Sequence, residues 1–250
     1  MEVLSRYIPI FLLVLLRASI FVSFLPYFSS KNLPVRFKIG FAVATALVLT
    51  PVVEIEITRT ALPLLVVREM VMGLVLGLMA RFVFFVVEVA GQLMSYAMGL
   101  SVATAFNPEI GQSTELAGFY GIVAMLVFLA MDAHHELIYV FVQSYEWLPA
   151  GQLSLARLLP EVVSMGSRIF VMALKLSAPV LVVIFVSNIV LGFLSKAAPQ
   201  LNVFAVGFPV YLAVGFVVMI VGLPVFIQAV GSHFLNMREE MLRVLALAKG

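Results

Sequence analysis

The sequence contains no cysteine among its 250 residues. Disulfide frameworks, cysteine-ligated metal sites and thiol nucleophiles are therefore excluded. Charged residues are also scarce: they make up 11% of the chain, whereas a soluble domain averages about 25%. The net charge of +2 is too small to indicate nucleic-acid binding, so we expect no nucleic-acid partner.

Apolar residues, in contrast, make up 63% of the chain, against about 45–50% in soluble domains. Between residues 176 and 237 the sequence has one formal charge, Lys196. The uncharged segment on each side is at least as long as the ~20 residues that a helix needs to cross a bilayer. Because lipid tolerates only backbone that satisfies its own hydrogen bonds, the sequence predicts an all-α integral membrane protein that ends in a membrane hairpin.

About six hydrophobic elements are predicted, with proline or charge at most of the junctions between them. An N-terminal apolar run is followed by the segments 39–53, 62–87, 116–131, 169–194 and 203–230. Prolines within or beside these segments favour kinked or broken helical hairpins.

The distribution of basic residues conflicts with six ordinary spans. Positive-inside bias places both the first connection, residues 31–38, and the C-terminus, residues 238–249, in the cytoplasm. Six spans would place them on opposite sides of the membrane. At least one element is therefore predicted not to be an ordinary span; the alternative is that so few charges carry little bias.

Five charged residues lie inside apolar segments, namely Arg17, Arg68, Glu69, Arg81 and Lys175. Each would cost about 2.5–3.5 kcal/mol at the centre of a lipid-facing helix. We therefore expect them to be buried in protein or to contact other subunits. For Glu69 we expect a structural charge partner rather than a proton carrier.

Small residues recur at four-residue spacing along the predicted third helix. Gly73 and Gly77 form one such row, and Gly91, Ser95 and Gly99 form another. This spacing allows close helix packing in an apolar medium. The neighbour could equally be another part of this chain or a partner subunit.

Residue patterns for catalysis are weak, and we predict no catalytic, metal-binding or cofactor-binding residue. His135 and Glu136 begin a zinc-protease-like motif, but Tyr139 stands where the second imidazole is required. The cluster 132–136 is interpreted as an interfacial polar turn. An intramembrane hydrolase is thus only a weak alternative.

A proline- and glycine-punctuated stretch follows a partly polar segment, residues 91–105. Its residues are Phe106, Asn107, Pro108, Glu109, Ile110, Gly111, Gln112 and Ser113. Polar side chains on a membrane segment favour a polar lumen or another subunit; the alternative is an ordinary surface turn. Met94 and Met98 lie one turn apart before this stretch and could form an adaptable seal, although such spacing is more often plain packing.

The most specific pattern lies between the arms of the final hairpin. It consists of Pro199, Gln200, Asn202, Val203, Phe204, Gly207, Phe208 and Pro209. This pattern makes the whole chain resemble the FliR family of flagellar export-gate proteins. The resemblance also includes Arg17, Glu69 with Gly73 and Gly77, the Gly91-Gln92 step and Asn107-Pro108. The injectisome counterparts share the architecture, but the hairpin motif looks more flagellar.

The resemblance implies a non-enzymatic, cofactor-free subunit that assembles with FliP and FliQ into a pore for unfolded polypeptides. FlhB and FlhA would be neighbours, in the bacterial inner membrane at the flagellar basal body. Residues 1–165 would be FliP-like and residues 166–250 a FliQ-like hairpin with a C-terminal tail. Residues 106–113 best match the loop that plugs the closed pore in the family, and the five charges would then contact neighbouring subunits rather than lipid.

A multi-pass small-solute transporter is the main alternative. Six apolar elements and proline-broken helices would suit it. Transporters built from inverted repeats should have matching halves, however, and the two prolines of the final hairpin have no counterpart in the first half.

Overall fold

A computed structural model describes residues 2–26, 28, 33–53, 62–100, 115–148, 155–200 and 202–248. These residues form seven α-helices and no strand, which confirms the predicted all-α class. The helices are α1 (Glu2–Phe24), α2 (Val35–Leu49), α3 (Leu62–Ala97), α4 (Glu115–Ala130), α5 (Ala133–Trp147), α6 (Leu155–Ala197) and α7 (Val203–Ala248).

Four of these helices, α1, α3, α6 and α7, are long and apolar enough to cross a membrane. The pair α4 and α5 is interrupted at Met131 and Asp132, and it provides a fifth span if it is counted as one broken element. Helix α2 has 15 residues and is shorter than the ~20 that a span requires. The elements that are not ordinary spans are therefore α2 and the broken pair.

The prolines of the final hairpin do not end its second arm. Helix α7 continues through Pro209 and Pro224 over 46 residues. Neighbouring helices and local adjustments can satisfy the carbonyl that a proline leaves free in a membrane helix. In contrast, α3 ends sharply where Gly99 adopts a φ of +79° and the Leu100 amide donates to the Ser95 carbonyl. This is the usual glycine termination of a helix.

The described chain divides into two compact units, each assembled from several segments. Unit 1 contains Met1–Phe82, Asp132–Gly166 and Phe234–Gly250, and unit 2 contains Val83–Met131 and Ser167–His233. Helix α6 passes through Gly166 without a break. The division at residue 165 that the family resemblance implies stays a prediction.

Within unit 1, α1 packs against α2, α3 and α5. Phe21 of α1 stacks on Phe141 of α5 with 4.6 Å between ring centroids. Glycines of α3 lie directly against α1, as described below. Arg238 of α7 lies 3.4 Å from the Glu136 carboxylate and over the Tyr139 ring, so α7 also joins α5 in this unit.

Within unit 2, aromatic contacts join α4 to α3 and α7. Phe84 meets Phe128 edge to face at 5.6 Å, and the rings of Tyr120 and Phe226 lie 4.4 Å apart. Aromatic pairs of this kind stabilise a core beyond the area that they bury.

Candidate functional site

A buried ion pair joins α1 to α3 in unit 1. Arg17 Nε donates to Glu69 Oε2 at 2.5 Å, and Arg17 Nη2 donates to Glu69 Oε1 at 2.7 Å. Each residue is only 1% exposed. The fork of the guanidinium thus matches both carboxylate oxygens, which is the strongest geometry for such a pair. The partner of Glu69 is therefore a residue of this chain, 52 positions away in sequence.

Helix α5 supplies two further contacts to the same guanidinium. Arg17 Nη1 donates to Ser144 Oγ at 2.9 Å, and Ser144 in turn donates to the Phe141 carbonyl at 2.6 Å. The Tyr145 ring lies 3.9 Å from the Arg17 Cζ, within cation–π distance. Arg17, Glu69, Ser144 and Tyr145 form a network, which we call the arginine network, that ties three helices together. Groups this deeply buried need such partners, because an unpaired polar group there carries the full penalty of desolvation.

Ser144 and Tyr145 were not among the residues singled out from the sequence. The segment that carries them was interpreted as starting with a polar turn, whereas His134, His135 and Glu136 belong to the first turn of α5. A helical period was nevertheless present: Leu137, Val140, Phe141, Ser144 and Tyr145 recur at spacings of three and four and are all buried.

The other charges of the apolar segments have different surroundings. Arg68 and Arg81 are partly buried on α3, and Arg81 has an interaction partner within the chain. Lys175 is exposed on α6. Burial of Lys175 would therefore require lipid or another subunit, and the expectation that these residues contact other subunits stays a prediction.

Two glycines of α3 allow α1 to approach closely beside the arginine network. A Cβ at Gly73 would lie 2.8 Å from the Arg17 carbonyl oxygen and 3.1 Å from the Ile20 Cβ. A Cβ at Gly77 would lie 2.7 Å from the Phe24 Cβ. The neighbour of this glycine row is thus a helix of the same chain.

Gly73→Leu should destabilise the protein by at least about 1–3 kcal/mol, the usual effect of overpacking. The obstacle is a backbone atom of Arg17, so α1 must move and the ion pair must distort. Gly73→Ala should have a smaller effect of the same sign. Thermal unfolding of the purified variants in detergent measures both.

Gly40→Ala is the matched control, because a Cβ at Gly40 meets nothing within 4 Å in this chain. Alanine is also more favourable than glycine inside a helix by about 1 kcal/mol. Equal midpoints for Gly73→Leu and the wild type would contradict the close-packing assignment.

The second row of small residues packs within unit 2. A Cβ at Gly91 would lie 2.8 Å from the backbone nitrogen of Ala117 on α4, and Ser95 is fully buried. At Gly99 a Cβ would be 3.4 Å from the Phe208 ring. Both rows therefore face helices of this chain, which leaves an additional subunit contact at these positions as a prediction.

Met94 and Met98 are also buried in unit 2, with 1% and 0% exposure. The Met98 side chain is packed so closely against Gly215 of α7 that a Cβ there would lie 2.5 Å from the Met98 Cε. The two thioethers fill space between helices of this chain. Their role as a seal stays a prediction.

The hairpin motif forms the turn between α6 and α7 and the start of α7. Pro199 and Gln200 lie in the turn, and the Asn202 side chain accepts a hydrogen bond from the Ala205 amide at 3.3 Å. Asparagine is a preferred residue for capping a helix N-terminus in this way. Val203 and Phe204 begin α7, and exposed Pro209 lies inside it.

The two arms of the hairpin, α6 and α7, contact each other close to this turn. Buried Gly207 lies beside Leu191, where a Cβ would be 3.5 Å from the Leu191 Cδ1, and the Tyr211 hydroxyl donates to Asn188 Oδ1 at 2.6 Å. Of the motif residues, Asn202 thus caps α7 and Gly207 lies at the contact between the two arms.

Asp132, His134 and His135 are the residues of the described chain whose side chains could hold a metal ion. One ligand atom from each lies within 4.8 Å of the others. Imidazole and carboxylate are ligands that zinc accepts. Asp132 and His135 are exposed, and Asp132 has a left-handed φ of 53° just before α5. Of the cluster 132–136, Asp132 lies in the turn before α5 and the other four residues are helical, so the predicted turn is shorter than expected; its interfacial location remains a prediction.

The predicted plug, residues 106–113, lies outside the described residues. Gly99 ends the helix before it, and α4 begins after it at Glu115.

The fold and the arginine network together define a class: an all-α membrane protein with a buried Arg17–Glu69 ion pair between two of its apolar helices. Residues 8–237 match the family of bacterial export proteins, family 1. The flagellar biosynthetic protein FliR of Bacillus subtilis is 32% identical over 248 residues, which cover 96% of this chain and 95% of that protein. The FliR proteins of Pectobacterium carotovorum and Escherichia coli are 31% and 30% identical, and the matches cover 90% and 93% of this chain and 89% and 92% of those proteins.

This chain therefore belongs to the FliR family of bacterial export proteins.

Proposed function

We propose that this protein is a non-enzymatic subunit of the flagellar type III export gate in the bacterial inner membrane. It forms, with FliP-like and FliQ-like subunits, the pore through which unfolded flagellar polypeptides pass. FlhB-like and FlhA-like export proteins are its neighbours at the basal body. The observation that carries this proposal is similarity to flagellar FliR proteins along almost the whole chain.

The exposure of the long helices supports a role as a subunit. In the apolar 18-residue stretch of α3, 61% of the residues are buried within the chain, whereas the corresponding stretches of α6 and α7 have only 22% and 17% of their residues buried. Apolar surfaces of this extent need lipid or other apolar helices around them. The final hairpin is therefore a suitable surface for FliQ-like neighbours.

The flagellar names of the relatives favour the flagellar gate over its injectisome counterpart. An export channel that is wide enough for an unfolded chain needs a closure at rest, and we assign this role to residues 106–113. A loop can fill a lumen and withdraw without unfolding the helices around it.

Co-purification tests the proposal. A tagged chain that is extracted in mild detergent should bring down two other small hydrophobic proteins, a FliP-like and a FliQ-like subunit, in a stable complex. Mass spectrometry of the purified complex identifies them. Recovery of a homo-oligomer that transports a small solute after reconstitution would reject the gate and favour the transporter.

A further inference from the structure

A cavity of about 580 Å³ lies in unit 2 between α3, α4, α6 and α7. Its lining is apolar except for Tyr120, Lys175 and His233, and it contains no carboxylate. The formal charge in this lining is thus that of Lys175. Lys175 forms no ion pair with any residue that the structure describes.

The position of Lys175 along α6 places the cavity relative to the membrane. Lys175 and Lys196 enclose an uncharged stretch of about 20 residues. At 1.5 Å per residue this stretch is about 30 Å long, which is the thickness of the hydrocarbon core. A span formed by this stretch would place Lys175 at one border of the hydrocarbon layer, close to the lipid phosphates.

The Cα–Cβ bond of a helical residue tilts toward the N-terminus of its helix. For Lys175 this direction leads away from the uncharged stretch. Pro179 and Val180 line the cavity on the other side of Lys175, inside that stretch. The cavity thus extends from a basic border into the apolar layer.

The cavity opens on the surface of the hairpin. Val217, Val221 and Val225 of α7 line it and are 60%, 74% and 67% exposed. These valines recur every four residues, so they form one continuous edge of the opening. A ligand can enter from the side of the helix that faces its apolar surroundings.

We propose that this cavity binds one anionic phospholipid, with an acyl chain among the valines and the phosphate at Lys175. A cavity that is apolar along the valines and basic at Lys175 matches an acyl chain that carries an anionic headgroup. Lys175, with no carboxylate in the lining of the cavity, favours a negative headgroup. This inference requires only a membrane, so it does not depend on the proposed pore.

The test is lipid retention by the full-length protein, purified in detergent with the subunits that accompany it. The sample is saturated with phosphatidylglycerol or phosphatidylcholine, washed, and its lipid is counted by mass spectrometry. Wild-type protein should retain phosphatidylglycerol preferentially. Lys175→Gln should lower phosphatidylglycerol retention about five-fold, since one surface cation contributes roughly that factor, and should leave phosphatidylcholine unchanged.

Filling the cavity tests the acyl-chain site independently. Gly222 lines the cavity and a Cβ there meets nothing within 4 Å, so Gly222→Leu should fold and should reduce retention of both lipids. The matched controls are Lys196→Gln and Gly192→Leu, on α6 outside the cavity, where Gly192 is equally open. Both should behave as wild type.

Three outcomes would overturn the proposal. The first is wild-type retention by both Lys175→Gln and Gly222→Leu. The second is thermal protection by inorganic phosphate equal to that by phosphatidylglycerol, which would mean a free-anion site. The third is loss of a partner subunit from Lys175→Gln with unchanged lipid content, which would assign the lysine to a carboxylate of that partner.

Discussion

Glu69→Gln should lower the free energy of unfolding by about 3–5 kcal/mol, because it leaves the Arg17 guanidinium buried without a counter-charge. Glutamine keeps the shape of glutamate, so the decrease in the free energy of unfolding measures the effect of removing the negative charge. Both residues are 1% exposed, and the described residues offer no other carboxylate to Arg17. Many proteins have a total stability of about 5–15 kcal/mol, so the yield of folded protein should also fall. The thermal midpoint in detergent and the amount of assembled complex measure the two effects.

Glu146→Gln is the matched control, since it removes an exposed carboxylate from α5 close to the arginine network. Exposed substitutions usually change stability by less than about 0.5 kcal/mol. A double variant, Arg17→Met with Glu69→Leu, should recover much of the lost stability, because apolar residues of similar size often replace a buried pair without loss.

The same double variant separates a structural role of Glu69 from proton transfer. If the pair is structural, the double variant should assemble and export flagellar proteins. Abolished export from a fully assembled double-variant complex would contradict the structural role and favour a proton carrier.

If residues 106–113 close the proposed pore, deletion of residues 107–112 should raise the resting permeability of the complex to ions and small solutes while leaving it assembled. The expected effect is large, because the remaining pore would lack its closure and a water-filled channel wide enough for an unfolded chain conducts ions freely. Conductance of the reconstituted complex in planar bilayers measures it directly. Cells that overproduce the deletion variant should grow slowly.

A length-matched replacement provides the control for this deletion. Changing residues 107–112 to a glycine–serine segment keeps the connection to α4 but removes the side chains that would fill the lumen. It should leak less than the deletion and more than the wild type. Wild-type conductance from both correctly assembled variants would contradict the plug and favour the alternative that residues 106–113 are an ordinary surface turn.

Arg17 and Glu69 show how far sequence reasoning reached toward the site. Each stood out as a charge in an apolar segment, because the cost of a charge in lipid depends on that residue and its immediate surroundings. The sequence did not reveal that they pair with each other, because this pairing depends on α1 and α3 becoming neighbours. The sequence therefore predicted that partners exist, and the structure identified them as each other.

Ser144 and Tyr145 show the opposite case. Neither residue is unusual for its position, and α5 is less apolar than the other helices, so the segment did not stand out as an element. The recurrence of Leu137, Val140 and Phe141 at helical spacing was a usable signal. This spacing could reveal a buried face of the helix. It could not reveal that the face contacts Arg17, because Arg17 lies 127 positions before Ser144 in the sequence.

The glycine rows fall between these cases. Their spacing predicted close packing, which the contacts of Gly73, Gly77 and Gly91 show. The spacing could not distinguish a helix of this chain from a partner, because a small residue permits approach by any backbone. Only the tertiary structure placed α1 against Gly73 and α4 against Gly91.

By itself the sequence determined that this protein is helical, lies in a membrane and resembles the FliR family. The first two follow from transfer free energies and backbone hydrogen bonding, which act on each segment separately and can be read along the chain. The tertiary structure alone decided that Arg17 binds Glu69 and also contacts Ser144 and Tyr145. It also decided that Lys175 borders an apolar cavity. These arrangements bring together helices that are far apart in sequence, and no local pattern specifies which helices become neighbours.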